Sequence, residues 1–331
     1  MPIGRECAFK VLPDRAKGAT SMTSHMGPVI TTRQPLGLGK KHLLAAAAVA
    51  VLIILIGIGL WLFSGPRTLY PVVLNGRYGY ITKSAKLAIQ PLFDHADAFT
   101  DRLAAVEIGN RWGYIDPSGK LVITPQYDLA DPFSQGLALV GTGPHLGYID
   151  KSGKYAINPQ FAGAGQFGNG RAPVMMNGQW GYIDTTGRVV INPQFDEAGN
   201  FSDGLASIRS ANKYGYINPS GKMVIPPQFD SAGDFHHGLA VVRLNDEFGY
   251  IDNSGRMKIS PQYDAAGDFS DGLAPVAIAG RYGYIDKSGR FAINPQFDQG
   301  GSFRAGIAPV WVGNRQGYIN KDGKYVWNPV S

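Results

Sequence analysis

The sequence contains almost no cysteine. Cys7 is the only one in 331 residues, so neither disulfides nor thiolate metal sites can stabilise the chain that follows it. Histidine is scarce as well, and His95, His145, His236 and His237 do not have the spacing of a zinc site. The fold must therefore be stabilised by packing.

Most of the chain also lacks an excess of charge of either sign. The formal net charge is +6. Residues 1–42 contain seven Lys and Arg against two Asp and Glu, whereas the rest of the chain contains 24 against 23. The basic character belongs to the N-terminal tail, and we do not expect the nearly neutral remainder to bind nucleic acid.

Helical patterns are missing too, with one exception. The composition, with 44 glycines, 22 prolines and 37 aromatic residues, favours short strands and tight turns and predicts an all-β fold. The exception is residues 43–63, an uncharged and mainly apolar run. This run is long enough to cross the hydrocarbon core of a bilayer as a helix.

We interpret this run as an uncleaved transmembrane anchor. A signal peptide normally has an apolar stretch of only about 7–15 residues and a small-residue cleavage site, which is absent after residue 63. Lys40 and Lys41 precede the run, and positive charge on that side predicts a cytoplasmic tail. The predicted organisation is a disordered basic tail at 1–42, an anchor at 43–63, a linker at 64–68 and a β domain at 69–331.

The β domain is built from a repeat of fixed length. The tripeptide Gly-Tyr-Ile occurs eight times at intervals of 34 residues, beginning at Gly79, Gly113, Gly147, Gly181, Gly215, Gly249, Gly283 and Gly317. A period kept without insertion over eight copies indicates one supersecondary unit stacked on its neighbours.

Each unit contains three short apolar runs, which in one copy are 273–278, 281–285 and 290–293. Asn and Gly at the first joint and Asp-x-Ser-Gly at the second are typical of tight turns, which predicts a three-stranded antiparallel meander. A recurring proline, such as Pro193, is expected to end the third strand. One phenylalanine per connector, from Phe99 onward, is expected to pack between units, and the tyrosine of Gly-Tyr-Ile is expected to be the more buried of the two aromatic residues on its strand.

The number of connectors bears on the overall shape. Eight meanders are present but only seven connectors, and no terminal strand is evident that would complete a split blade. Propeller blades usually have four strands. We therefore expect eight three-stranded units in a curved open array, with a closed propeller-like ring as the alternative.

The unit resembles the WG repeat (tryptophan-glycine repeat) of bacterial proteins. The similarity covers about residues 69–331 and rests on an aromatic-Gly-Tyr-Ile-Asp core, a Ser-Gly-Lys/Arg turn, an Ile-x-Pro-Gln-Phe/Tyr-Asp segment and a Phe-x-x-Gly-Leu-Ala-x-Val strand. Leu146, Gln316 and Ala85 depart from this pattern. The resemblance implies a binding or scaffold module and supplies no catalytic residues.

Two sets of repeated side chains are candidate binding residues. The first is an aromatic strip on which sugar rings could stack, formed by Tyr78, Trp112, Trp180, Tyr214, Phe248 and Tyr282. The second is a basic ladder after the Ser-Gly turn, formed by Lys86, Lys120, Lys154, Arg188, Lys222, Arg256, Arg290 and Lys324. A structural role competes in both cases: the rings pack between units, and the cations pair with the aspartates eight residues later, such as Asp94.

The sequence does not favour catalysis. Asp264, Asp268 and Asp271 are crowded but do not have the spacing of an EF-hand calcium loop. The residues that interrupt the repeat motif, such as Leu146 and Gln316, offer no acid, base or nucleophile. We expect no enzymatic activity, no cofactor and no bound metal.

These observations together predict a scaffold anchored by a single span in the bacterial inner (cytoplasmic) membrane. Its repeat domain would be periplasmic or extracellular and would bind another protein of the cell envelope. Binding of a glycan or peptidoglycan along the aromatic strip is the alternative. Full burial of Trp112 and Trp180 would exclude that alternative.

Overall fold

The computed structural model describes residues 68–330, which form β-strands and turns and contain no α-helix. They belong to the unit Ser64–Ser331, one of two into which the chain divides. The predicted tail at 1–42 and the predicted anchor at 43–63 lie outside the described residues. Within residues 68–330, no helix is long and apolar enough to cross a membrane.

Eight antiparallel sheets follow one another along the chain, one per repeat, and each has three long strands. The first long strands are Leu69–Leu74 (β1), Ala104–Ile108 (β5), Leu137–Thr142 (β9), Arg171–Met176 (β13), Ala206–Ser210 (β17), Leu239–Leu244 (β21), Leu273–Ile278 (β25) and Ile307–Val312 (β29). The second are Arg77–Thr82 (β2), Arg111–Ile115 (β6), His145–Asp150 (β10), Gln179–Asp184 (β14), Lys213–Ile217 (β18), Glu247–Asp252 (β22), Arg281–Asp286 (β26) and Arg315–Asn320 (β30). The third are Leu87–Phe93 (β3), Leu121–Tyr127 (β7), Tyr155–Phe161 (β11), Val189–Phe195 (β15), Met223–Phe229 (β19), Met257–Tyr263 (β23), Phe291–Phe297 (β27) and Tyr325–Val330 (β31).

Every sheet after the first has a fourth strand of two residues, supplied by the connector. These short strands are His95–Ala96 (β4), Leu129–Ala130 (β8), Gly163–Ala164 (β12), Glu197–Ala198 (β16), Ser231–Ala232 (β20), Ala265–Ala266 (β24) and Gln299–Gly300 (β28). Each pairs with the first long strand of its sheet. These short strands were not predicted, because two small or polar residues in a loop carry no strand periodicity.

The turns have the predicted chemistry. Asn75 and Gly76 both adopt positive φ, 51° and 74°, in the hairpin between β1 and β2. In the second turn of the next sheet, Asp116 Oδ1 accepts hydrogen bonds from the backbone N–H of Ser118 at 2.9 Å and of Lys120 at 3.2 Å. These contacts satisfy backbone donors that the turn leaves outside the strand ladder.

The recurring proline does not end the third strand, so that prediction is wrong. The strand β27 continues past Pro295 to Phe297, and its register against β26 shifts around the proline. This bulge is tolerated because the third strand is an edge strand, where a missing N–H costs no ladder bond. The same bulge in β7 explains why Gly-Tyr-Ile begins with glycine: a Cβ on Gly113 would lie 2.5 Å from the Ile123 carbonyl oxygen.

Hydrophobic clusters between neighbouring sheets form the core. Between the first two sheets, Tyr80 packs against Phe99 with ring centroids 4.9 Å apart, in a cluster that also contains Val106. The Tyr80 hydroxyl donates to the backbone oxygen of Asp97 at 2.7 Å. The same tyrosine and connector phenylalanine are buried at every later link, which confirms both predicted packing roles.

The eighth sheet packs on the first, so the sheets are the blades of a closed eight-bladed β-propeller. Tyr70 and Tyr318 have ring centroids 5.7 Å apart, and the Tyr318 hydroxyl donates to the Pro71 carbonyl. The Gln316 Oε1 accepts from the Val73 N–H at 3.3 Å. The open array was therefore the wrong choice, and the alternative, a closed ring, is the observed one.

Larger side chains fill the seam between blades 8 and 1, which has no connector phenylalanine. Tyr70 occupies a position that holds alanine in the other seven blades, and Trp327 replaces an isoleucine. Both belong to the seam cluster with Tyr318. Arg304 replaces a smaller residue and reaches the Phe99 carbonyl of blade 2. These substitutions show how a periodic sequence is adapted where the ring closes.

We expect Tyr70→Ala to destabilise the domain by about 3–5 kcal/mol, because it empties the seam cluster. Denaturant unfolding followed by tryptophan fluorescence measures the loss. Tyr325→Ala is the control, since Tyr325 is 41% exposed on an outer strand; it should change stability by no more than about 0.5 kcal/mol. Equal effects of the two substitutions would contradict closure through Tyr70.

Candidate functional site

Strand direction divides the ring into two faces. The hairpins between first and second long strands lie at one end of every blade, which we call the hairpin face. The Ser-Gly turns between second and third strands, and the connector bends, lie at the opposite end, the ladder face. Each short strand forms one edge of its blade and each third long strand forms the other. The connector bends that follow the short strands hydrogen-bond to one another from blade to blade, as the Gly136 N–H does to Asp101 and the Gly170 N–H to Gln135. We therefore assign the short strands to the edge nearest the axis, around a central channel, and the third strands to the outer edge.

The six aromatic residues of the predicted strip lie near the hairpin face and are all half-buried. Each packs on the core between two blades. Tyr78 and Trp112 flank His95 of the short strand, with ring centroids 4.7 and 5.4 Å away. Because the array is closed, these residues form a collar around the channel mouth, completed by Leu146 and Gln316. Each of the six side chains therefore packs partly on the core between blades and is partly exposed.

A cleft of about 370 Å³ opens beside the channel between blades 5 and 6. Its polar lining residues are Glu197, Asn200, Ser207, Tyr214 and Asp234. Within residues 68–330, Ser207 is the only buried residue that is polar. Glu197 accepts from the Tyr214 hydroxyl and pairs with Arg209 at 2.9 Å. The cleft is a polar interruption in an otherwise apolar wall between blades.

Four aspartates on the connectors make the channel wall acidic. Burial raises the pKa of Asp97, Asp131 and Asp268. Burial also raises the pKa of Asp234 to about 6, with a further contribution from the nearby Asp268 carboxylate. No Lys or Arg of the described part of the chain forms an ion pair with any of the four. A cation entering the channel would therefore be stabilised.

The basic ladder lies on the opposite face, and all eight of its residues are exposed. Arg188, Arg256 and Arg290 pair with the aspartates of their own turns at 2.9, 3.3 and 3.6 Å. Four of the six aspartates predicted to pair with the ladder, a set that also included Asp196 and Asp264, instead bind hairpin-face cations, in the pairs Arg77–Asp94, Arg111–Asp128, Lys213–Asp230 and Arg281–Asp298. The predicted pairing is wrong because a seven-residue strand, roughly 23 Å long, separates the two sets.

Charge is divided unequally between the two faces. The Lys and Arg of the ladder face are Lys83, Lys86, Arg102, Lys120, Lys151, Lys154, Arg171, Arg188, Lys222, Arg256, Lys258, Lys287, Arg290, Arg304, Lys321 and Lys324. Its acidic residues are Asp101, Asp116, Asp150, Asp184, Asp203, Asp252, Asp271, Asp286 and Asp322. This is an excess of seven positive charges. The hairpin face and channel together hold seven Lys and Arg against fourteen Asp and Glu.

An apolar belt borders the ladder on the outer edge. Ten of the fourteen large hydrophobic residues that are exposed among residues 68–330 occupy the two positions after a ladder cation: Leu87, Leu121, Val122, Val189, Val190, Met223, Val224, Met257, Phe291 and Tyr325. Exposed apolar side chains are common singly. Their concentration at one level of seven of the eight outer strands distinguishes this edge.

The crowded aspartates of the sixth connector, Asp264, Asp268 and Asp271, do not converge. Asp268 lies 3.5 Å from His236, and Asp271 accepts from the Gly306 N–H at 2.6 Å. Within the described range, no group of three or more His, Cys, Asp or Glu side chains is placed to hold a metal ion.

Sequence reasoning missed the acidic channel and the cleft. The signal for the cleft was Ser207, which stands where the other blades have Pro71, Ala105, Leu139, Pro173, Val241, Pro275 and Pro309. The channel had no comparable signal, because Asp97 and Asp131 occupy one position of the repeat, Asp234 and Asp268 occupy the next, and neither position is acidic in the remaining connectors.

Comparison with known proteins finds a repeat family that matches this chain and solved structures with a similar fold. The family model described as WG containing repeat matches seven segments, residues 78–112, 112–143, 147–180, 180–214, 214–247, 248–282 and 282–315. The fold is similar to a crystal structure of a eukaryotic initiation factor, with a TM-score of 0.51 and 9% identity over 80% of this chain and 85% of that one. It is also similar to the dihydro-heme d1 dehydrogenase NirN in complex with DHE, with a TM-score of 0.52 and 14% identity over 81% and 73%. At these identities the likeness concerns the fold alone. A search of curated protein sequences gave no match.

We expect Asp234→Asn to stabilise the protein near pH 7.5 by about 1–2 kcal/mol. The native pKa of Asp234, about 6, exceeds its ordinary value of 3.8, so the folded state binds the proton more tightly and stability falls as the pH rises between these values. Two pKa units correspond to about 3 kcal/mol, and partial exposure reduces that figure. Urea unfolding at pH 7.5 and at pH 3.5 should show that the gain disappears in acid.

Asp230→Asn is the matched control on the same connector. Lys213 and the backbone N–H of Asn245 lower the pKa of Asp230, so this substitution should destabilise at pH 7.5. Two substitutions with the same sign at neutral pH would contradict the assignment of a destabilising charge to Asp234.

Proposed function

We propose that this chain, which belongs to the WG containing repeat family, is a protein-binding scaffold whose partner docks on the hairpin face across the aromatic collar. One observation carries the proposal: the collar differs from blade to blade, whereas the tyrosine and connector phenylalanine packed between successive blades 1 to 8 do not. Folding requires the constant positions, so the varied positions are available for recognition.

The contrast is clear when the eight repeats are compared. All eight carry the buried tyrosine of Gly-Tyr-Ile. The first residue of the short strand beside the collar is instead His95, Leu129, Gly163, Glu197, Ser231, Ala265 or Gln299. A ring of eight similar blades thereby presents a face without rotational symmetry. Such a face can select one docking orientation for a partner.

The chemistry of the collar suits a protein interface. Half-buried aromatic residues and arginines dominate binding energy in such interfaces. Arg209 and Arg243 lie on first long strands beside the collar, and their side chains are 33% and 40% exposed. A docking chain can therefore contact both guanidinium groups.

The acidic channel indicates what the partner presents. Asp97, Asp131, Asp234 and Asp268 lie near the axis below the collar, and their raised pKa values record the cost of burying a negative charge there. A Lys or Arg side chain that enters from the hairpin face offsets that cost. The proposed ligand is therefore a protein segment with an apolar surface and a projecting basic residue.

We extend the proposal to location. Residues 43–63 would anchor the chain in the bacterial inner membrane with its N-terminus in the cytoplasm, so the propeller would meet its partner in the periplasm or outside the cell. The linker at 64–68 is short, which favours partners close to the membrane. The proposal assigns no catalytic step, cofactor or nucleic acid to the chain.

Site-specific photo-crosslinking with the full chain in its native membrane tests the proposal. A crosslinking amino acid at Leu146, within the collar, should capture one defined protein. The matched position is Leu92, which is 66% exposed on an outer strand and should capture none. Adding Trp112→Ala to the Leu146 variant should weaken binding roughly 10- to 100-fold and abolish the crosslink.

The glycan alternative is tested in parallel with purified cell-wall sacculi. Sedimentation of the chain with sacculi, lost in Trp112→Ala and Trp180→Ala, would replace the proposed protein ligand with a glycan. Capture from Leu92 that is as strong as capture from Leu146 would reject the collar as the docking site for either ligand.

A further inference from the structure

We infer that the ladder face is a second docking surface and that it rests on an anionic phospholipid bilayer. This inference concerns the face opposite the aromatic collar and does not depend on a protein partner there. Three observations support it: the excess of positive charge on this face, the apolar belt around it, and the place where the chain enters the domain.

The positive excess is available to an external partner. The acidic groups of this face are largely committed to the turns, as Asp116 is to the backbone N–H groups of Ser118 and Lys120. In contrast, the lysines Lys120, Lys154 and Lys222 are exposed and form no ion pair within residues 68–330. Anionic headgroups attract such unpaired lysines, and the attraction adds over a plane.

The apolar belt distinguishes a bilayer from other polyanions. Lys120 is followed by Leu121 and Val122, which are 41% and 44% exposed, and Lys222 is followed by Met223 and Val224, which are 39% and 41% exposed. Cations beside exposed apolar side chains are typical of surfaces that lie in the headgroup region of a membrane. A nucleic-acid backbone would use the cations but would leave the belt in water.

The closed ring places these groups on one plane. Each blade contributes one ladder cation at the same level of its structure, and seven of the eight contribute exposed belt residues beside it. In an open helical array successive units would turn away from a flat surface. In the propeller all of them can contact it together.

The chain enters the domain at the same face. Thr68 lies with Lys83 and Lys86 in a cleft of about 650 Å³ at the seam between blades 8 and 1. The segment interpreted as a membrane anchor ends at residue 63, only five residues earlier in the sequence. Five residues span at most about 18 Å. The described part of the chain therefore begins at the face that carries the excess of cations.

Depth-dependent fluorescence quenching on the full chain tests the inference. The chain is cysteine-free once Cys7 is replaced by serine, so a single cysteine at Val190, in the belt, can carry an environment-sensitive dye. The protein is reconstituted into bilayers of phosphatidylcholine with or without phosphatidylglycerol, with brominated acyl chains as quencher. Quenching at Val190 should be at least about twofold stronger in the anionic bilayer.

Leu92 supplies the matched control site. It is an exposed apolar residue on an outer strand, like Val190, but lies at the hairpin-face end of that strand. A dye at Leu92 should not be quenched in either bilayer. The combined substitutions Lys120→Gln, Lys154→Gln and Lys222→Gln should remove the lipid dependence at Val190, whereas Arg315→Gln on the hairpin face should leave it intact.

Several results would overturn the inference. These are equal quenching at Val190 in neutral and anionic bilayers, no quenching in either, failure of the chain to associate with bilayers, and stronger quenching at Leu92 than at Val190. Binding of duplex DNA that depends on the three lysines, without quenching at Val190, would instead identify the ladder face as a nucleic-acid surface. Circular dichroism of the lysine variant separates lost binding from lost folding.

Discussion

The structure depends on the tyrosine of Gly-Tyr-Ile, which is fully buried between blades. A phenol enclosed in an apolar cluster must find a hydrogen-bond acceptor, and its own blade offers none. In seven blades the acceptor is a carbonyl of the next connector, as in Tyr80 to Asp97. In the eighth it is the Pro71 carbonyl of blade 1. Burying one side chain thus ties each blade to the next and closes the ring.

The sequence predicted the strands, turns and packing residues of each repeat, but not the closure of the repeats into a ring. Period, hairpin turns, the connector phenylalanine and the buried tyrosine follow from residues within a few positions of each other. Closure depends on the small rotation between blades summed over eight copies, which no local pattern records. The ends of the repeat did carry a signal, because Tyr70 and Trp327 replace the constant alanine and isoleucine. Larger residues at those positions are needed only if the ends meet.

The candidate site was also predicted only in part. The aromatic residues were identified from the repeat, and their half-buried state reconciles the packing and binding interpretations. Their arrangement as a collar follows from closure and was not predictable without it. Ser207 occupies the variable position of the Gly-Leu-Ala-x-Val segment, and Asp234 occupies a variable position of its connector, so neither interrupts the constant part of the repeat. Only the packing of adjacent blades shows that the two residues line the same cleft.

The net charge of the domain does not show how its charges are arranged in space. The described domain has equal numbers of basic and acidic residues, which agrees with the predicted pairing of the ladder with the aspartates eight residues later. A sum over residues contains no positions, however, and one seven-residue strand places residues eight apart at opposite faces. The propeller thereby separates its charges into a basic face and an acidic channel and hairpin face. A domain without net charge can in this way bind a cationic partner at one surface and an anionic partner at the other. The closed ring keeps the two surfaces on opposite sides of the domain.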